Sequence, residues 1–276
     1  MKGGRMSGRD CEDTENTMRI IVCFKVTQDL ESVMKRDWEQ ASLEAFDISY
    51  TQKELNCYDE AALEAALRLQ DTLRASGEEA VVDAVTIGNG NYDIFYKNMF
   101  AVGVNQIFQI HTEEDLTWRP DAVAGLLAEA AQPYDAVFLG SKNAMGENGL
   151  TPYLLAGRLG RPCLNQVISV RCAEGGLRAV CERDAGELHA TVRQPAVYAF
   201  GNSDTPYLRV ATLREKLAVK GKKAEHLERS PEGKEGFRAC RLFQESLVKE
   251  CTFLEGESAE EKARGLLDTL RKEKLA

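Results

Sequence analysis

The sequence predicts an α/β protein: an open, mostly parallel, twisted sheet with helices on both faces, an antiparallel appendage and a C-terminal arm. Three observations carry this. Short apolar runs rich in β-branched residues recur and end at glycines. Between them lie segments with apolar residues at helical spacing, joined by short connections, which is the pattern of strands buried on both faces. From Gln166 onward the rhythm changes to short strands separated by turns.

Met18 to Phe24 reads as the first buried strand. The stretch Lys25 to Gln52 is irregular, with Phe46 to Tyr50 reading as an edge strand. Glu60 to Ala75 carries Leu63, Ala66, Leu67 and Leu69 at helical spacing, with Asn56 or Asp59 as its cap. Ala80 to Ile87 is the next strand, closed by Gly88-Asn-Gly90. A helix over Asp93 to Ala101, a strand over Asn105 to Ile110, a helix over Asp121 to Ala131 and a strand over Tyr134 to Leu139 follow. The helix Thr151 to Leu159 is stopped by Gly160 and Pro162. Val167 to Arg171, Leu177 to Glu182, Leu188 to Arg193 and Ala196 to Phe200 read as the strands of the appendage. Thr205 to Gly221 is polar and basic with little periodicity, and Ala224 to Lys249 is charged and ambiguous. Near the C-terminus Ser258 and Glu261 form a capping box, ahead of Ala263, Leu266, Leu267 and Leu270 on one helix face.

Domain organisation follows: residues 1–17 as a disordered extension, 18–200 as a nucleotide-binding α/β domain with its appendage from about 166, and 201–276 as the arm and terminal helix. Met1 to Thr17 is polar and unpatterned, without the apolar core of a secretory signal, so Met18 reads as the start of the fold. The formal net charge of -9 with both signs interspersed argues against a nucleic-acid partner. No apolar run is long enough for membrane insertion. Eight cysteines without CxxC pairs and three scattered histidines give no zinc-ligand spacing, and point to a cytoplasmic chain with reduced thiols.

In an open parallel sheet ligands bind beyond the carboxyl ends of the strands. The candidate site is therefore read at Cys23, Phe24 and Lys25, at Ile87 and Gly88, and at Gly140, Ser141, Lys142 and Asn143. The segment Gly146 to Thr151 adds glycine and the N–H groups of a helix start, which favour a phosphate. The residues alone leave two readings of it open, a plain connecting loop or a nucleotide loop. Phosphate-loop, nucleophile-elbow and zinc-protease motifs are absent, and Gly88 to Asp93 begins like GxGxxG but lacks the third glycine. Any redox chemistry would then reside in a cofactor.

The chain resembles the beta subunit of electron-transfer flavoproteins, the FixA-like family. Met18 to Lys25 followed by Asp29 is similar to that family's opening strand and turn, and Leu55 to Leu69 to its NPxDExALExALRL segment. Val85 to Gly88, Ala101 to Gly103, Gln194 to Val197 and Asp204 to Arg209 match further pieces. The resemblance implies a Rossmann-like sheet of the adenine-nucleotide alpha-hydrolase type. It implies AMP, or a second FAD in electron-bifurcating members, with its phosphates in the loop that starts at Gly140. Adenine would lie near Cys23, Asn56 and Ile87, and phosphate against Glu147, Asn148, Gly149, Leu150 and Thr151. Gly140 and Thr151 agree with the family loop, Glu147 stands at an acidic position and Asn148 at a threonine position. Met145, Leu150 and Asn143 replace an aspartate, a glutamine and an alanine, and each lost hydrogen bond would cost about 0.5–1.5 kcal/mol. The implied partners are an alpha subunit holding the working FAD and a flavin-dependent dehydrogenase, with the stretch from Thr205 onward lying on a partner rather than on its own core. Two other functions remain open: a diverged paralogue acting as a structural partner, and a stand-alone adenine-nucleotide sensor.

Overall fold

A computed structural model describes residues 17–39, 47–114, 116, 118–143, 149–232 and 253–272. It divides into a unit from Met1 to Cys240 and a second from Arg241 to Ala276. In the first unit the chain runs β1 (Met18–Cys23), β2 (Val26–Gln28), α1 (Lys35–Glu39), β3 (Lys53–Leu55), α2 (Cys57–Ala75), β4 (Ala80–Ile87), α3 (Asp93–Val102), β5 (Ile107–His111), α4 (Pro120–Ala131) and β6 (Ala136–Gly140). It continues with α5 (Thr151–Leu159), β7 (Cys163–Ala173), β8 (Gly176–Arg183), β9 (Gly186–Val192), β10 (Ala196–Phe200), α6 (Leu213–Ala218) and β11 (Glu225–Glu228). The second unit holds α7 (Ala259–Lys272), with the Ser258 hydroxyl accepting the Glu261 N–H at 3.2 Å, as the capping motif predicts.

Nine strands form one sheet in the order β11-β5-β4-β1-β6-β10-β7-β8-β9. From β11 to β7 neighbours run parallel, and β8 and β9 continue the sheet antiparallel. Alternation along β1 splits the core in two. Ile20 and Val22 face α2 and α3, whereas Ile21 and Cys23 face α4 and α5. This is why the central strands read as unbroken apolar runs: both faces are covered. Phe138 lies with ring centroids 5.2 Å from Tyr198 and 5.1 Å from Phe200, all three buried.

Several expectations are corrected. Ala196 to Phe200 is not part of the antiparallel appendage; β10 lies parallel between β6 and β7 in the central sheet. The appendage is the β7-β8-β9 meander, continuous with that sheet. Asp47 to Tyr50 forms a turn, not an edge strand, while Lys53 to Leu55 pairs antiparallel with Val26 to Gln28. Thr205 to Gly221 contains α6, opened by a reciprocal capping box between Thr212 and Glu215. The stretch from Thr205 does not lie off its own core. Glu64 accepts the Arg209 backbone N–H at 3.0 Å and pairs with its guanidinium, Glu60 accepts the Leu208 N–H at 3.0 Å, and β11 pairs with β5 at the sheet edge. Residues 1–16, Phe46, the loop positions 144–148 and the segment 233–252 lie outside the described residues.

Candidate functional site

The chain builds β4 and β5 on one side of β1, then crosses back through α4 to lay β6 on the other side. The switch point therefore falls between β1 and β6, and a crevice opens above their carboxyl ends. The cleft there has a volume of about 440 Å³, within the ~300–1,000 Å³ of small-molecule pockets. It gathers Cys23, Phe24 and Lys25 from the exit of β1, Asn56 ahead of α2, Ile87 and Gly88 from the exit of β4, and Gly140, Ser141, Lys142 and Asn143 from the exit of β6. Gly149 and Thr151 complete that side at the start of α5. Leu150 is not on the wall; it sits at the N-cap of α5 with its side chain exposed. Glu147 and Asn148 lie outside the described residues.

Sequence reasoning missed the far wall. Thr112, Glu113, Glu114 and Leu116 from the exit of β5, with Pro120, Val123 and Leu127 of α4, close the cleft. The strand-end rule applied to β4, β1 and β6 applied equally to β5, so the signal was present. Gln109 of β5, itself buried, braces the opposite loop: its amide donates to the carbonyls of Gly88 at 2.9 Å and Gly90 at 3.0 Å and accepts from the Tyr96 hydroxyl at 2.9 Å.

The floor is held by the first turn of α2. Asn56 occupies the N-cap position but makes no side-chain cap; its amide donates to the Lys142 carbonyl at 3.0 Å. Asp59 does not cap the helix either. Its carboxylate accepts the N–H of Lys25 at 2.9 Å and of Gly140 at 2.6 Å. The approach is so close that a Cβ at position 140 would come within 2.7 Å of the Asp59 carboxylate and of the Tyr58 Cβ, so only glycine fits. Burial raises the Asp59 pKa to about 6, against the lowering effect of hydrogen bonds from Asn56, Gly140 and Lys25 and of the Lys25 charge. Burial, reinforced by Asp59, pushes the Cys23 thiol up, so it is neutral and no nucleophile at neutral pH.

The cleft is chemically two-sided. Leu116, Val123, Leu127, Ile87 and Leu139 offer an apolar slot. The β6 exit offers polar groups: Ser141 Oγ and Asn143 Oδ1 are buried with no hydrogen-bond partner among the described residues. Buried polar atoms are almost always paired, so two orphans on one wall fit a ligand with donors and acceptors of its own. Gly149 has φ +61, a conformation that favours glycine, and brings the chain into α5. Among the described residues no side chain caps that helix, and Pro152 carries no N–H, so its first turn presents the N–H groups of Thr151 and Tyr153 with the helix dipole behind them. An adenine ring in the slot and a phosphate at the helix start fit these residues. Among the described residues no group of three His, Cys, Asp or Glu could hold a metal, and no helix is long and apolar enough to cross a membrane.

The family model of the electron transfer flavoprotein domain matches residues 46–201, which include the exits of β4, β5 and β6 and the start of α5. A protein of Escherichia coli (strain K12) named "Putative electron transfer flavoprotein subunit YgcR" is 28% identical over 254 residues, covering 90% of this chain and 96% of that protein. With more than half of its length matched, and all of the cleft's lining but Cys23, Phe24 and Lys25 inside the match, the chain belongs to the electron transfer flavoprotein family.

Proposed function

We propose that the chain is the beta subunit of a cytoplasmic heterodimeric electron transfer flavoprotein, binding AMP or a second FAD in the cleft above β1 and β6. The observation that carries this is the pair of buried polar atoms, Ser141 Oγ and Asn143 Oδ1, which have no partner among the described residues, beside the start of α5, which no described side chain caps. A bound flavin would supply the redox centre, whereas AMP would be structural. The chain's own part is to seat the base between Ile87, Leu127 and Leu139 and to fix the phosphate near Gly149 and Thr151. Tyr207, Val210, Leu213 and Leu217 expose large apolar groups within a short stretch, which supports a subunit that works against protein partners, an alpha subunit and a flavin-dependent dehydrogenase, over a stand-alone sensor.

Calorimetric titration of AMP and of FAD into the full chain tests the reading. Gly149→Asp places bulk and negative charge at the phosphate and should abolish binding; undiminished binding removes the phosphate from this loop. One observation favours the diverged-paralogue reading: Leu150, which stands where the family has glutamine, is turned away from the wall. If the parent binds neither nucleotide and Met145→Asp with Leu150→Gln binds, that reading replaces the first.

A further inference from the structure

Asp59 sits where the two halves of the sheet diverge, and its geometry has no role in helix capping. Oδ2 accepts the Lys25 N–H just beyond β1, and Oδ1 accepts the Gly140 N–H at the end of β6. Asn56 ties the same turn of α2 to both exits a second time, donating from its backbone N–H to the Lys25 carbonyl and from its side chain to the Lys142 carbonyl, each at 3.0 Å. Both exits line the cleft, and Asp59 lines it too.

We propose that Asp59 is the positioning residue of the cleft: by accepting one N–H from each side of the switch point, its carboxylate sets the gap between the exits of β1 and β6 in which the ligand lies. The ionised group offers a strong acceptor oxygen to each side. Protonation turns one oxygen into a hydroxyl, a donor and a much weaker acceptor, so the hydrogen bond to one of the two N–H groups weakens and the tie between the two exits loosens. The cleft should then loosen as pH falls through the titration of this one group. The two thiols facing it do not share that window. Burial keeps the Cys23 thiol of β1 and the Cys57 thiol of its own helix above their ordinary values. The Lys25 ammonium favours the ionised carboxylate, and the Lys142 ammonium is engaged 5.8 Å over the Tyr58 ring. The link to ligand affinity rests on the proposed nucleotide reading; the link to the two exits does not.

The test has two arms. In the ligand-free full chain, NMR of backbone amides across pH 5–7.5 should show the Lys25 and Gly140 signals moving together with one midpoint near 6, and Asp59→Asn should abolish that shared step. Amides that do not move, or that move unchanged in Asp59→Asn, overturn the proposal without any nucleotide present. In the second arm AMP binding at pH 7.5 should weaken at least tenfold in both Asp59→Asn and Asp59→Glu, whose longer side chain carries the charge to the wrong place, while melting shows both folded. If both variants bind AMP as tightly as the parent, Asp59 does not set the gap. If the parent itself binds no nucleotide, the functional reading fails and the amide arm alone decides. Should Asp59→Asn not fold, the amide titration of the parent and the affinity of Asp59→Glu still decide it.

Discussion

The two ends of the sheet obey different rules. In β6 and β10 every residue is buried, and their strands run parallel beneath helices on both faces. In β9 no residue is fully buried, and Leu188 is 45% exposed. Only the parallel half points successive carboxyl ends to one edge. There four loop exits converge, and a cleft can form. The antiparallel meander sends its turns to alternate edges and gathers nothing. The proposed site sits where parallel pairing and full burial coincide, while β9 and the 205–229 stretch are mostly exposed.

The contrast can be broken most forcefully at the core. Phe138→Ala removes a fully buried ring from its contacts with Tyr198 and Phe200 and should cost about 3–5 kcal/mol. Leu188→Ala in the meander should stay within about 0.5 kcal/mol. Urea unfolding of the two variants measures both. Similar losses would mean the meander carries more of the core than its exposure indicates.

Asp59 gives the next effect, and its sign separates fold from site. Its pKa rises from 3.8 to about 6 on folding. Between those values the folded chain binds the extra proton, so stability falls as pH rises through that window. Keeping the ionised carboxylate buried above pH 6 therefore costs about 3 kcal/mol. Relative to Asp59→Asn, the parent should lose about 1 kcal/mol of unfolding free energy between pH 5 and pH 7.5. Identical pH profiles in parent and variant would show that the group does not titrate there. The fold favours the proton while the proposed cleft geometry is held best without it, so Asp59 would serve the site at a cost in stability.

A smaller effect is expected at Arg209. Its guanidinium pairs with the buried Glu64 at 3.1 Å and with the exposed Asp71 at 2.6 Å. Burial alone would raise Glu64, but hydrogen bonds from Arg209 and Arg68 outweigh it and hold the carboxyl below its usual range. Arg209→Ala leaves Arg68 as a partner, so with the guanidinium a third exposed the loss should be about 1–2 kcal/mol. Hydrogen exchange over residues 205–212 should rise while that of β6 stays unchanged. Unaltered protection would detach this stretch from α2. Smallest of all, Gly149→Ala meets no steric obstacle among the described residues nearer than the Ser141 carbonyl at 3.6 Å. Its cost is the left-handed backbone alone, about 1 kcal/mol, read as a shift in melting temperature of roughly 2–4 °C.

The sequence by itself determined β1 and the order from α2 to β10, the buried faces and three of the four strand exits around the cleft. Apolar periodicity records which faces leave water, and glycines such as Gly88 and Gly140 mark where strands end. Only the tertiary structure decided strand neighbours. Ala196 to Phe200 reads the same beside a hairpin as between β6 and β7, and Glu225 to Glu228 has no apolar signature because β11 is a mostly exposed edge. The role of Asp59 was equally hidden. In sequence it is an acidic residue in a first helical turn, where a carboxylate ordinarily serves the helix. Its partners, the N–H groups of Lys25 and Gly140, are 34 and 81 residues away. Backbone N–H groups carry no side-chain signature, so only the fold brings them to it.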